Sequence, residues 1–204
     1  MLRLYRVPFS TNVERVALAL GHKELEAEWV DIDPEDRSEV ERLSGQSLVP
    51  VLVENGNVVA DSTAILRYLE EQVPDPPLWP KDPAKRAELD VFLDWFNRVW
   101  KRPPNEIEAE RAKSEPDEAR IAELGRELTG SLDLFEQLLT GRDFLYGEFG
   151  AADCAAFPFL KYALIYDESD AEKFHLILRE FLVLCGRYPR VEAWIGRVDE
   201  HPRA

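Results

Sequence analysis

The sequence predicts an α/β domain followed by an all-α domain. Short β-type runs alternate with helical runs from residue 1 to about residue 73, whereas every periodic run after residue 83 has the spacing of a helix. Between them, the segment PDPPLWPKDP has five prolines in ten residues and cannot continue a helix. We therefore predict one domain over residues 1–73, a linker over 74–83 and an all-helical domain over 84–204.

The first half contains four β-type runs, LRLYRV, EAEWVDI, VPVLVEN and NVVA. The helical run after the first strand has an apolar face, and Thr11 with Glu14 predicts a capping box at its start. Asp33-Pro34 predicts the start of the second helix, because aspartate caps helices and proline suits the first helical position. In DSTAILRYLEEQV, Asp61 or Ser62 caps a third helix.

The last two strands of the first half meet at Asn55-Gly56, a dipeptide typical of type I′ hairpins. This turn makes the two strands antiparallel, whereas the earlier helical crossovers favour parallel neighbours. The first domain is therefore predicted to be a mixed four-stranded sheet in βαβαββα order, which is a thioredoxin-like arrangement.

The second half contains four long helical runs, at residues 84–101, 116–139, 151–166 and 172–186. Pro103-Pro104 predicts a helix end or a bend after the first of them. The charge-rich segment EIEAERAKSEPDEAR is interpreted as a solvated face or a loop.

The composition limits the classes of partner. A chain of 204 residues with 45% hydrophobic residues can bury an ordinary core, and its net charge of -15 disfavours nucleic acid and anionic membrane surfaces. The two cysteines imply neither a disulfide framework nor a metal site, and no apolar run reaches the ~18 to 20 residues of a membrane span. We expect a cytoplasmic protein without a metal cofactor.

Three short motifs in the first half are candidates for chemistry. Ser10 and Thr11 lie at a helix N-terminus after a strand, where a hydroxyl can donate to an anion such as a thiolate. A hydrogen bond to a charged group contributes ~1.5 to 3 kcal/mol, which would lower a bound thiol's pKa from ~8.5 toward ~7. The alternative is that both residues only cap the helix.

The other two motifs suit an extended, amino-acid-like ligand. Pro50 opens a strand. If the Val49-Pro50 bond is trans, the proline only marks a strand start or an edge strand; if the bond is cis, it turns the Val49 N–H and C=O outward. Asp61 and Ser62 offer a carboxylate, a hydroxyl and N–H groups suited to the α-amino and α-carboxylate groups of a ligand. The alternative for Asp61 and Ser62 is a plain N-cap.

Taken in this order, the motifs resemble the cytosolic glutathione S-transferase family over nearly the whole chain. VPFSTNVERV is similar to the S-T-x-x-R-x-V segment of the phi class and to the related delta-class segment, which implies that Ser10 is catalytic with Thr11 beside it. LVPVL is similar to the V-P-x-L motif, which implies a cis Pro50 and pairing of Val49 with the cysteinyl unit of glutathione. Asp61-Ser62 resembles the pair that binds the γ-glutamyl group.

The resemblance also has departures. The segment SGQSLVP places Leu48 where the family commonly has a Lys or Gln near the glycine carboxylate, and Gln46, Arg42 and Arg15 are the candidate substitutes. The cysteine of omega-class and glutaredoxin-like relatives is replaced by Val7, and no cysteine lies near Ser10 as in the beta class. Disulfide exchange by a protein thiol at this position is therefore disfavoured.

The function that the resemblance implies is conjugation of the thiolate of glutathione, or of a similar peptide thiol, to an apolar electrophile by a homodimer. Glutathione is the co-substrate, and an acceptor pocket is expected from Phe9, Trp95, Val99 and Trp100. Two alternatives are a non-catalytic thiol- or protein-binding module, in which Ser10 only caps the helix, and a glutathione-dependent reductase or lyase.

Overall fold

The computed structural model describes residues 1–204, and the chain divides into two compact units. The first unit comprises Met1–Arg86 together with Glu200–Ala204, and the second comprises Ala87–Asp199. The last five residues, which the sequence analysis assigned to the helical domain, thus pack with the first unit.

The first unit has a four-stranded sheet in the order β2-β1-β3-β4. Strand β1 is parallel to β2 and antiparallel to β3, and β3 is antiparallel to β4, so the predicted mixed sheet is confirmed. Its elements are β1 (Leu2–Arg6), α1 (Thr11–His22), β2 (Ala27–Asp31), α2 (Ser38–Ser44), β3 (Val51–Glu54), β4 (Asn57–Ala60) and α3 (Ser62–Gln72).

The register of the sheet determines which loops lie together. Tyr5 is opposite Val51 across β1 and β3, and Val51 is opposite Ala60 across β3 and β4. The end of β1, the start of β3 and the end of β4 therefore share one end of the sheet. The segments that follow or precede these strand ends are residues 7–10, 49–50 and 61–62, the three candidate motifs.

Burial on both faces of the sheet fixes these strands. Leu4 and Leu52 are paired and fully buried, whereas their neighbours Tyr5 and Val51 pack against Val40 of α2. Adjacent strand residues point to opposite faces, so this alternation covers both sides. Tyr5 Oη also donates to the Glu39 carboxylate at 3.4 Å, on the face that α2 covers.

The structure corrects two predicted helix starts. The N-cap of α1 is Ser10, whose Oγ accepts from Val13 N at 3.4 Å, while Thr11 is the first helical residue and is buried. Helix α2 begins at Ser38 and not at Asp33-Pro34. The Asp33 carboxylate instead accepts from Glu35 N at 2.9 Å, a local turn that competes with helix capping.

The second unit is all-helical, as predicted. Its helices are α4 (Pro83–Trp95, which begins in the first unit), α5 (Arg102–Arg111), α6 (Glu118–Gly130), α7 (Leu132–Leu138), α8 (Ala151–Leu160), α9 (Lys173–Phe181) and α10 (Pro189–Asp199). A π-helical turn at Phe96–Trp100 joins α4 to α5, and a 3₁₀ turn at Lys161–Ala163 follows α8.

Two of these helices were not predicted. Helix α5 includes part of the charge-rich segment that was interpreted as a solvated face or a loop. Pro103 and Pro104 lie in its first turn, where backbone N–H groups have no partner within the helix, so the missing N–H of proline costs no hydrogen bond. Helix α10 buries Val191, Trp194 and Ile195 in a segment for which the sequence analysis predicted no element.

Candidate functional site

Ser10 lies at the shared end of the sheet and uses its hydroxyl oxygen to cap α1. The oxygen accepts from Val13 N, which occupies a lone pair and leaves the hydroxyl proton for another acceptor. The preceding Phe9 has a φ of 58° and a side chain that is 44% exposed. Capping and donation to an anion are therefore compatible roles for Ser10, although the sequence analysis treated them as alternatives.

Val49 and Pro50 precede β3 at the same end of the sheet. The Val49-Pro50 peptide bond is cis, as the resemblance implies. The N–H and C=O of Val49 make no backbone hydrogen bond within the chain. Both groups are thus available to an extended ligand that pairs with this segment.

Asp61 and Ser62 start α3, directly after β4. Asp61 is the N-cap with a φ of 77°, and its Oδ1 accepts from Thr63 N at 2.9 Å and from Ala64 N at 3.0 Å. Ser62 is buried, and its Oγ accepts from Arg15 Nη1 at 3.3 Å.

Arg15 is a site residue whose place the sequence did not reveal. It projects from α1, its side chain is 1% exposed, and it joins α1 to the start of α3 through Ser62. Arg15 was a predicted candidate for the glycine carboxylate, whereas the structure places its guanidinium against Ser62. The signal available in the sequence was an arginine within the apolar periodicity of α1.

Gln46 and Leu48 lie in the loop before β3. The Gln46 side-chain amide donates to Ser44 Oγ at 3.1 Å and to Leu48 O at 2.9 Å, and its oxygen accepts from Leu48 N. The Gln46 side chain, which was predicted to bind the ligand, is therefore engaged within its own loop in this structure. The Leu48 side chain is 71% exposed.

The predicted acceptor residues of the second unit differ in exposure. Trp100 is 2% exposed, stacks on Phe96 with ring centroids 4.5 Å apart, and donates from Nε1 to Ser131 Oγ at 2.8 Å. Trp100, which was predicted to line the acceptor pocket, is therefore packed in the core of the helical unit. Val99 is 46% exposed and Trp95 is partly buried, so both retain apolar surface.

The helical unit also contains a buried polar cluster that the sequence analysis did not recognise. Asp170 accepts from Tyr162 Oη at 2.7 Å, and His175 Nδ1 lies 2.8 Å from the same carboxylate. The rings of Tyr162 and His175 stack with centroids 4.5 Å apart. Burial lowers the pKa of His175 more than the nearby carboxylate raises it. The cluster holds the segment after α8 against α9.

Two further features bear on cofactors and membranes. No three side chains of His, Cys, Asp or Glu are grouped in a way that would hold a metal ion. None of the helices combines the length and apolarity needed to cross a bilayer.

Comparisons with known proteins agree with the fold. Residues 4–77 match the family model of the glutathione S-transferase N-terminal domain, and residues 118–197 match that of the C-terminal domain. The chain is similar to FtsZ-localized protein A of Caulobacter vibrioides, with 32% identity over 170 residues covering 75% of this chain and 73% of the relative.

It is also similar to the glutathione S-transferase GstB of Escherichia coli, with 29% identity over 170 residues covering 78% of this chain and 82% of the relative. Among solved structures, a glutathione S-transferase from Rhodospirillum rubrum superposes with a TM-score of 0.75 at 29% identity. That superposition covers 99% of this chain and 89% of the other.

Proposed function

The chain belongs to the glutathione S-transferase family, and from this premise we propose that it conjugates the thiolate of glutathione, or of a similar peptide thiol, to an apolar electrophile. The observation that carries the proposal is the hydroxyl of Ser10. Its oxygen caps α1 through Val13 N, so its proton can be donated to a sulfur bound at the same end of the sheet.

In the proposed reaction, the thiol loses its proton to solvent and the Ser10 O–H donates to the resulting thiolate. The sulfur attacks the electrophilic carbon, a C–S bond forms, and the leaving group departs with its electron pair. Ser10 favours the charged form of the thiol, which lowers its pKa, while the open N–H and C=O of Val49 hold the cysteinyl unit in place.

The proposed electrophile is apolar. Phe9, Trp95 and Val99 support this proposal because each of them keeps apolar surface, whereas Trp100 does not. As is typical of the family, we further propose a cytoplasmic homodimer that needs no metal. Light scattering coupled to size-exclusion chromatography tests the dimer, and a single protomer mass contradicts it.

The test of the reaction is conjugation of glutathione to a chlorodinitrobenzene, followed by absorbance. Ser10→Ala should lower kcat/KM by about 10- to 100-fold if the hydrogen bond stabilises the thiolate. Ser10→Asp is the matched control, because aspartate caps a helix well but has no proton to donate. It should fold like the parent and conjugate poorly. Undiminished activity in both variants excludes the assigned role of Ser10.

A second candidate function is that of a partner-binding protein that conjugates nothing. The observation that favours it is the 32% identity to a relative named FtsZ-localized protein A. Calorimetric titration with glutathione separates the two candidates. Binding of glutathione without turnover of several electrophiles favours the partner-binding protein, whereas turnover favours the transferase.

A further inference from the structure

We propose that the cleft between α5 and α9 binds a free α-amino acid with an apolar side chain. Glu108 binds the ammonium of this ligand, Lys173 binds its carboxylate, and its side chain lies on an aliphatic floor. The cleft shares no residue with the proposed thiol site or with the predicted acceptor pocket. The inference therefore goes beyond the proposed function and does not depend on it.

The first step is the size and the lining of the cleft. It has a volume of about 260 Å³ and lies between the last turn of α5 and the first turn of α9, and it is lined by Glu108, Arg111, Ala112, Lys173, Leu176 and Ile177. Ile177 is 1% exposed and packs in the core against α5 and α6, whereas Leu176 is 42% exposed. The floor is thus firmly packed, and an apolar group placed on it covers the exposed surface of Leu176. The volume lies just below that of drug-sized pockets, which suits a single amino acid.

The second step concerns two charges of the cleft that have no partner in the chain. Glu108 is half-buried and Lys173 is exposed, and neither side chain makes a hydrogen bond or an ion pair with another residue. Both line the same cleft without pairing with each other, so the cleft keeps a negative and a positive charge apart. A zwitterion pairs with both charges at once, and the partial burial of Glu108 strengthens that pairing.

The other cation of the cleft is already engaged. Arg111 donates from Nη2 to Glu180 Oε1 at 2.8 Å, and its guanidinium lies 5.8 Å from the centre of the Phe181 ring. This ion pair joins α5 to α9 beside the cleft and balances the charge of Arg111. The charges left for a ligand are therefore those of Glu108 and Lys173, which favour a zwitterion over a simple anion or cation.

The third step is the direction of the two helices. Glu108 lies in the last turn of α5, where the helix carries partial negative charge, and Lys173 is the first residue of α9, where the helix carries partial positive charge. The N-cap residue of α9, Glu172, makes no side-chain capping bond. An ammonium is thus favoured beside Glu108 and a carboxylate beside Lys173, in the arrangement that the side-chain charges also require.

Isothermal titration calorimetry of the whole protein with L-leucine and L-phenylalanine tests the site. We expect a Kd below about 1 mM for at least one of them. For leucine, two analogues each lack one charge, namely 4-methylpentanoate without the ammonium and 3-methylbutylamine without the carboxylate. Each analogue should bind at least about fivefold more weakly than leucine. No binding of either amino acid at about 10 mM, or equal affinity for leucine and both analogues, overturns the inference.

Two variants test which charge binds which end of the ligand. Glu108→Gln should raise the Kd for leucine about 5- to 30-fold and change the Kd for 4-methylpentanoate less than about twofold, because that analogue has no ammonium. Lys173→Gln should weaken leucine by a similar factor and leave 3-methylbutylamine within about twofold, because that analogue has no carboxylate. A variant that weakens leucine and its matched analogue equally contradicts the assigned pairing.

Glu172→Gln is the matched control. Glu172 is an exposed glutamate next to Lys173 that does not line the cleft, so its loss changes the net charge as Glu108→Gln does. The Kd for leucine should stay within about twofold of that of the parent. A loss as large as that of Glu108→Gln contradicts the inference, because net charge would then govern binding. Calorimetry uses neither glutathione nor an electrophile, so failure of this inference leaves the proposed function untouched.

Discussion

The ammonium of Lys23, at the end of α1, lies 2.9 Å from the carboxylate of Glu70 in α3, and both side chains are buried. Lys23 also donates to the carbonyls of Val73 and Pro76, and Glu70 accepts from Leu78 N and Trp79 N. The pair thus fixes the proline-rich segment after α3 by hydrogen bonds from two elements. All three protons of the ammonium have acceptors.

Removing one partner of this pair should strongly destabilise the protein. Lys23→Met leaves a buried carboxylate without its counter-charge, which typically costs about 3 to 5 kcal/mol of unfolding free energy. Urea denaturation measures the change. The matched control is Arg3→Met, which breaks the exposed pair with Glu28 and should cost less than about 1 kcal/mol. If both variants lose a similar amount of unfolding free energy, burial of the Lys23–Glu70 pair is not what makes its removal costly.

Ser10 and its capping bond give a prediction about stability that is separate from activity. Ser10→Ala removes the acceptor for Val13 N and should lower the unfolding free energy by about 1 kcal/mol. Ser10→Asp should restore it, since aspartate is among the best N-cap residues. Thermal unfolding of the two variants side by side tests this, and equal melting temperatures would show that the 3.4 Å contact contributes nothing.

Asp153 should make stability depend on pH. Complete burial raises the pKa of its carboxyl from 3.8 to about 6, against the opposing effect of N–H donors from Leu145, Gly150 and Trp194. A folded-state pKa above the unfolded value stabilises the protein at low pH, and this contribution is lost as pH rises through about 6.

The stability of the parent relative to Asp153→Asn should therefore fall between about pH 4 and pH 7, by roughly 2 to 3 kcal/mol. Urea titrations at several pH values measure how the difference in unfolding free energy between the parent and Asp153→Asn changes with pH. This pH dependence does not depend on how well asparagine fits the site. If the parent instead gains stability relative to Asp153→Asn as pH rises over this interval, the carboxyl is held ionised in the folded protein.

Trp100 and Val99 are adjacent residues with opposite expected effects. Trp100→Ala removes a stacked, buried ring and should lower the unfolding free energy by about 3 to 5 kcal/mol. Val99→Ala changes an exposed side chain and should leave stability within about 0.5 kcal/mol. In conjugation assays, Val99→Ala is expected to alter KM for the electrophile and not KM for glutathione.

Gly21 is predicted to be irreplaceable for steric reasons. A Cβ at this position would lie 2.1 Å from Pro202 O, in the C-terminal segment whose Arg203 binds Glu14 of α1. Gly21→Ala should therefore displace residues 200–204 and increase proteolysis there. Gly196→Ala is the control, since nothing lies within 4 Å and alanine favours a helix by about 0.8 to 1 kcal/mol. Unchanged proteolysis of Gly21→Ala would contradict this packing.

Local patterns determined much of the fold. The Asn55-Gly56 turn has φ angles of 51° and 86°, as a type I′ hairpin requires, and it set the antiparallel pairing that makes the sheet mixed. The sequence misplaced the starts of α1 and α2 because Thr11 and Asp33 both carry good capping side chains. Which capping residue is used depends on how the chain leaves the preceding strand, and the local pattern does not specify that.

The sequence by itself determined the order of elements, the three motifs and the family they resemble, because periodicity, turn residues and capping side chains act over a few residues. Only the tertiary structure decided that Arg15 lies against Ser62, that Gln46 folds back on its loop and that Trp100 is core while Val99 is exposed. Arg15 and Ser62 are distant in sequence, and Trp100 and Val99 point in different directions within one helical turn, so packing decides where each of them lies. The Gln46 contacts are local, but they depend on the course of the loop before β3, which the residue pattern does not specify.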